Sequence, residues 1–332
     1  MHLSRILLIV ICGSALLWVF VVVIVAARSY YLMFRPRCDS TEVGRAAGLE
    51  QGEFDEEFLS LDWESTRVRS HRGYELAAFA LPADAAEAGT VIFVHGYTAT
   101  HYSMLKYVRG FHDRGWNAVT YDLAGHGDSV VPRSLSRAPS FGFYEKEDLA
   151  AVVAWAHIRF PGAGPTILVG ESMGAATVLQ YAPLGAPQGV ASAQWTVDAI
   201  IADCPFSSAA EELTWRLAAE RVPRFVAVGA ERLASLFLSV FRGFRTLEAD
   251  SARSILETAV PVLFIHGGDD LYVPSSMSIR MAEERKRAGV GPTELLIVAG
   301  ARHAKSVLVD PDAWFSTVFA FIDEYAGGRR DS

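Results

Sequence analysis

The chain has 332 residues, 51% of them hydrophobic, 20% charged and 11% aromatic, a composition that excludes disordered, collagen-like and disulfide-scaffold proteins. Its net charge of −8 argues against a nucleic-acid binder, which needs a basic face. Three cysteines, one of them (Cys12) inside an apolar run, cannot build a disulfide framework.

The first element is that apolar run. Residues 6–27 carry no charge and, as a helix rising about 1.5 Å per residue, reach about 33 Å, enough for a bilayer core of about 30 Å. The run is longer than the core of a secretory signal peptide, although Val25 and Ala27 leave a small-residue cleavage site open. Trp18, Tyr30 and Tyr31 suit a membrane segment and its interface. Residues 1–37 are therefore expected to be an N-terminal single-pass membrane anchor. Arg5 lies before the span and Arg28, Arg35 and Arg37 lie after it, which leaves the side of the following domain open. Residues 38–57 are polar, glycine-containing and acidic, and read as a solvated linker.

From residue 58 to 326 strand and helix patterns alternate. A β-hairpin is expected over 68–81, turning at Arg72-Gly73. Short apolar runs follow at 91–94, 118–121, 167–169, 199–202, 262–265 and 295–298, each bounded by Gly or Pro. Continuous runs of this kind suit strands buried on both faces of a parallel sheet. Helical patterns lie between them at 104–114, 144–159, 173–181, 275–288 and 313–325. The alternation predicts a doubly wound, mostly parallel α/β sheet with helices on both faces. Residues 207–258 break it with helix-like sequence alone, and read as a helical lid over the strand C-termini, where such folds bind ligands.

The chemistry concentrates in Gly170-Glu171-Ser172-Met173-Gly174, where an expected strand runs into Gly-x-Ser-x-Gly and then directly into a helix. In so tight a turn, side chains at Gly170 and Gly174 would meet neighbouring backbone. The turn lifts the Ser172 hydroxyl over the sheet, and the N–H of Met173, at the helix N-terminus, faces a developing oxyanion. The motif resembles the nucleophile elbow of the α/β-hydrolase superfamily, whose members place the acid and then the histidine after later strands. His266-Gly267-Gly268-Asp269-Asp270-Leu271-Tyr272-Val273-Pro274 is similar to the superfamily's acid loop, aligned on Asp270 with Asp269 as the alternative. His303 follows the next strand. His95-Gly96-Tyr97 ends the strand at 91–94; the resemblance assigns the second oxyanion N–H to Tyr97, with Gly96 allowing close backbone approach, and a loop-organising role to His95. Asp122-Leu123-Ala124-Gly125-His126-Gly127-Asp128-Ser129 resembles the family's neighbouring turn, where His126 and Ser129 are structural.

Within the superfamily, the segments 93–97, 140–147, 170–181 and 203–206 resemble membrane-anchored bacterial hydrolases of the serine-aminopeptidase-like, YqkD-like group. The resemblance implies an α/β-hydrolase fold, to which the sequence adds the helical lid at 207–258, where it departs from the family, and the N-terminal transmembrane helix. It also implies a serine hydrolase acting on ester-type acyl substrates, carboxylesterase- or lipase-like. Its triad would be Ser172, His303 and Asp270, it would need no cofactor or metal, and its partners would be a small acyl or lipid-like substrate and the membrane. No His-Glu-x-x-His, Cys/His ligand cluster or phosphate-binding glycine loop occurs in the sequence. Peptidase or thioesterase chemistry with the same triad, and a non-catalytic binding module at the membrane, are the alternatives. The sequence does not specify substrate, oligomeric state or the use of the insertion's Arg216, Arg221, Arg224 and Arg232.

Overall fold

The computed structural model describes residues 2–84, 88–131, 139–182 and 196–327, with side chains from Arg5 onward. In chain order the helices are α1 (His2–Phe34), α2 (Thr41–Glu50), α3 (Glu56–Leu59), α4 (Leu105–His112), α5 (Glu145–Arg159) and α6 (Met173–Tyr181). They continue with α7 (Ala209–Ala219), α8 (Arg224–Arg242), α9 (Ser251–Ser254), α10 (Ser276–Ala288), α11 (Ser306–Val309) and α12 (Pro311–Tyr325). The strands are β1 (Glu64–Arg69), β2 (Glu75–Leu81), β3 (Gly89–Val94), β4 (Trp116–Tyr121), β5 (Thr166–Glu171), β6 (Ala199–Asp203), β7 (Val262–Gly267) and β8 (Thr293–Val298).

All eight strands join one sheet in the order β1-β2-β4-β3-β5-β6-β7-β8. The hairpin β1–β2 and the β2–β4 pair are antiparallel, and the remaining pairs are parallel. Successive residues of a strand face opposite sides of a sheet, and the central runs are apolar on both. On β3, Ile92 and Val94 join the core beneath α5, α6 and α10, while Val91 and Phe93 join the core beneath α4 and α12. The doubly wound arrangement read from the sequence is the one observed.

Residues 38–57 differ from the solvated linker expected of them. Ser40 caps α2 by accepting the N–H of Val43, and Phe54 is buried and stacks on Tyr102. Gly44 and Gly48 are the reason the composition misleads: they are points of close approach, where a Cβ would strike Thr100 and the Phe54 ring.

The apolar helix α1 is long and apolar enough to be a membrane anchor or a signal sequence. Its first part is exposed, but Val22, Ala26, Ser29 and Phe34 are buried. Ala26 packs with Leu213 and Leu217 of α7 and Ala227, Ala230 and Ala234 of α8. Between 207 and 258 the described residues form helices joined by turns, and their one strand-like pairing is an isolated bridge, Ser208 to Asp250.

Candidate active site

The site forms at the C-terminal ends of β3, β5, β7 and β8, where β3 is flanked by β4 on one side and β5 on the other. Open α/β sheets bind ligands at such a switch in strand order. Ser172 sits between β5 and α6 with φ 55 and ψ −114, a left-handed conformation that a residue bearing a side chain rarely adopts. The surroundings enforce it. The Ser172 N–H donates to the Asp203 carbonyl at 2.8 Å. A Cβ on Gly174 would collide with the Val94 and His95 carbonyls, and one on Gly170 with the backbone of Gly174 and Ala175. The elbow therefore locks against the β3 loop, and Gly96 brings that loop to within 3.4 Å of the Ser172 Cβ, measured from a Cβ placed on the glycine.

The later loops bring the other two groups to the serine. His303 Nε2 lies 2.9 Å from Ser172 Oγ, and His303 Nδ1 lies 2.7 Å from Asp270 Oδ2. The other carboxylate oxygen of Asp270 accepts the N–H groups of Tyr272 (2.8 Å) and Val273 (2.9 Å). Burial alone would push this carboxyl up, but hydrogen bonds from His266 and His303 outweigh it and hold Asp270 well below the usual carboxylate range. Asp269, the alternative, is exposed and contributes its backbone N–H to the Ala301 carbonyl. Of the two oxyanion residues expected, Met173 is the first residue of α6, so its N–H is among those without an intrahelical acceptor. Tyr97 follows Gly96 in the β3 loop, and its hydroxyl donates to the Leu32 and Met33 carbonyls, 2.8 and 3.0 Å away.

Two histidines of the motifs are structural. His95 is fully buried, accepts the Leu123 N–H at 2.9 Å through Nε2 and donates from Nδ1 to the Gly96 carbonyl. Burial drives its pKa down to about 3, so it stays neutral. His126 is also buried, with Nδ1 on the Ala124 carbonyl. Cys204, Asp270 and His303 offer ligand atoms within 4.8 Å of one another. Burial holds the Cys204 thiol well above its ordinary pKa, in the protonated form that is a poor metal ligand.

Three contributors were not assigned from the sequence. His266 Nε2 donates to the Val273 carbonyl (3.0 Å) and lies 3.2 Å from Asp270 Oδ2, while its Nδ1 accepts from Ser278; it fixes the acid from behind. Lys106, almost fully buried, sits 2.5 Å from Glu171, the residue before Ser172, and donates to the Ala304 carbonyl behind His303 at 3.1 Å. Its ammonium ties elbow and histidine loop together. Asp203 receives Trp314 Nε1–H at 3.0 Å, and burial together with Glu171 pushes it up to about 6. No periodicity could reveal these partners, which meet only through the fold.

An apolar cavity opens over Ser172, with Phe141, Phe206, Leu213, Leu217 and Val273 in its wall and Leu32 and Met33 contributed by α1. Its ionisable acidic and basic side chains are Arg28, Arg216, Glu212 and Glu220. Arg216 covers the Tyr272 ring at 3.8 Å, and that ring stands 4.8 Å from the His303 ring. Glu212 is only 3% exposed, and one of its carboxylate oxygens has no hydrogen-bond partner among the described residues. Burial pushes it up to about 8.

Residues 91–317 match the alpha/beta hydrolase family. An uncharacterized protein of Bacillus subtilis (strain 168), YqkD, is 34% identical over 270 residues, covering 81% of this chain and 82% of its own. Among solved structures, the Pyrococcus furiosus esterase Pf2001 superposes with a TM-score of 0.61 at 19% identity, over 82% of this chain and 96% of its own. The Pyrococcus horikoshii acylaminoacyl peptidase does so with 0.58 at 16% identity, over 83% of this chain and 44% of its own. The chain belongs to the alpha/beta hydrolase family.

Proposed function

We propose that the protein is a serine hydrolase that cleaves ester-type acyl substrates through Ser172, His303 and Asp270, and that α1 holds it at a membrane. The observation that carries the reading is the continuous hydrogen-bonded line from Ser172 Oγ through His303 to Asp270, 2.9 and 2.7 Å long. A serine hydroxyl is a weak nucleophile until a neighbouring base accepts its proton. As Oγ attacks the acyl carbonyl, its proton passes to His303 Nε2, and Asp270 holds the Nδ1–H tautomer and stabilises the imidazolium. The negative charge that develops on the carbonyl oxygen is met by the N–H groups of Tyr97 and Met173, each worth about 2.7–4 kcal/mol in the transition state. The tetrahedral intermediate collapses, the alcohol leaves with the proton from His303, and an acyl-Ser172 remains. Water, deprotonated by His303, then releases the acid and restores the serine.

An uncleaved anchor is favoured because the end of α1 is bound into the folded domain: it accepts the Tyr97 hydroxyl, packs on α7 and α8, and walls the cavity. The substrate expected is a small acyl or lipid-like molecule, since apolar side chains make most of the cavity wall. Hydrolysis of p-nitrophenyl acetate and butyrate tests the reading. The wild type turns them over and Ser172→Ala does not; a Ser172→Ala variant as active as the wild type contradicts it.

A further inference from the structure

We infer that the helical insertion docks on the bilayer at its α7–α8 corner, so that the cavity over Ser172 takes its acyl substrate from the lipid leaflet. The inference rests on the proposed ester hydrolysis and membrane anchor. It starts from the way α1 lies on α8. The two helices run parallel: Tyr30 is beside Phe237, with ring centroids 6.5 Å apart, and a Cβ on Gly229 would stand 3.3 Å from Val22 and 3.5 Å from Trp18. The Gly229 contacts pair the start of α8 with the apolar run, and the Tyr30–Phe237 contact continues the pairing past Arg28.

A hydrocarbon core of about 30 Å takes about 20 helical residues, so a span starting at Ile6 ends near Val25. Val22 then lies inside that depth, and Gly229 lies beside it. Phe225, one turn earlier on the parallel helix, reaches about 6 Å deeper, and it is 64% exposed. An apolar ring left bare at that level is covered by lipid if α1 spans the membrane, because the neighbouring helix brings it there. Arg221 and Arg224 flank it in sequence and are exposed, and Glu220, next to Arg221, pairs with Arg28 just beyond the apolar run.

The same geometry sets the level of the cavity. Arg28 and Leu32, which line it together with Ser172, follow Val25 by three and seven residues, about 5–10 Å along the helix axis. That is the headgroup layer, where the ester linkages of a glycerolipid lie. An acyl amphiphile leaving the leaflet beside α1 would meet the apolar wall of the cavity without crossing water.

The test uses the full-length protein in phosphatidylcholine–phosphatidylglycerol vesicles carrying a fluorogenic long-chain diacyl ester, with p-nitrophenyl butyrate as the soluble comparison. Phe225→Glu is expected to lower hydrolysis of the vesicle-borne ester at least tenfold while soluble-ester turnover stays within about twofold. An unchanged ratio of the two rates overturns the inference. Phe225→Cys gives a second reading that does not depend on catalysis: relative to the wild-type background, a water-soluble maleimide should label it in detergent and fail to label it in vesicles. Equal labelling in both overturns docking even if Phe225→Glu misfolds. A wild type inactive on both esters refutes the hydrolase reading instead, and the maleimide result then decides docking by itself.

Discussion

Replacing Asp270 by Asn changes one oxygen for an NH2 group and leaves the shape of the acid loop intact, so its effect can be followed atom by atom. One carboxylate oxygen accepts two backbone N–H groups, from Tyr272 and Val273, and the other receives His303 Nδ1 and faces His266 Nε2. An asparagine has a single acceptor oxygen. If that oxygen stays on the backbone N–H pair, the new NH2 faces His303 Nδ1, which must give up its proton to accept. The proton then resides on Nε2, 2.9 Å from Ser172 Oγ, and the imidazole can no longer take the serine's proton. If the amide turns over, two buried N–H donors lose their acceptor at a cost of about 1–3 kcal/mol each. The first arrangement is therefore preferred, and kcat should fall about 10³–10⁴-fold, or about 4–5.5 kcal/mol of barrier. Steady-state hydrolysis of p-nitrophenyl butyrate measures it, with Asp269→Asn as the neighbouring control expected to stay within about threefold. An Asp270→Asn enzyme retaining a tenth of the wild-type kcat, or an Asp269→Asn enzyme falling as far, refutes the assignment.

Lys106→Met leaves Glu171 buried without its cation, and breaking such a pair costs about 3–5 kcal/mol; the urea midpoint should drop accordingly, and an unchanged midpoint contradicts the account of the elbow. Glu212 is neutral in the native state below its raised pKa of about 8 and ionises above it, placing a charge in the cavity beside Asp270. The KM for p-nitrophenyl butyrate should therefore rise from pH 7 to pH 9 in the wild type, and Glu212→Gln should remove that rise; a variant with the same alkaline limb excludes Glu212 as its source. Gly229→Leu pushes a side chain against Val22 and Trp18 and should separate α1 from α8, lowering kcat/KM several-fold through loss of the cavity wall. Activity unaffected by this substitution contradicts a role for α1 in the site.

The central strands were legible because each is a short apolar run that must be covered on both faces, as the two cores around β3 illustrate. Ser172, Asp270 and His303 were legible because each stands in a loop at the end of such a strand, in an order the superfamily shares. What escaped notice depends on contacts between distant residues. Lys106 and Glu171 are 65 positions apart, and nothing in the amphipathic pattern of α4 says that its lysine points inward. Residues 38–57 looked like a tether because glycine and acidic residues dominate them, whereas Gly44 and Gly48 serve close packing. Along α1, the buried positions Val22, Ala26 and Ser29 follow helical spacing, but uniform apolarity hid that face from the sequence.

The most direct test of the account is to treat the full-length protein with a fluorophosphonate and locate the adduct by mass spectrometry of the digested protein. The account predicts a single phosphonylated residue, Ser172, with labelling lost in Ser172→Ala and slowed by several orders of magnitude in His303→Ala. A wild type that takes up no label, an adduct on another residue, or a Ser172→Ala variant labelled at the wild-type rate would contradict it.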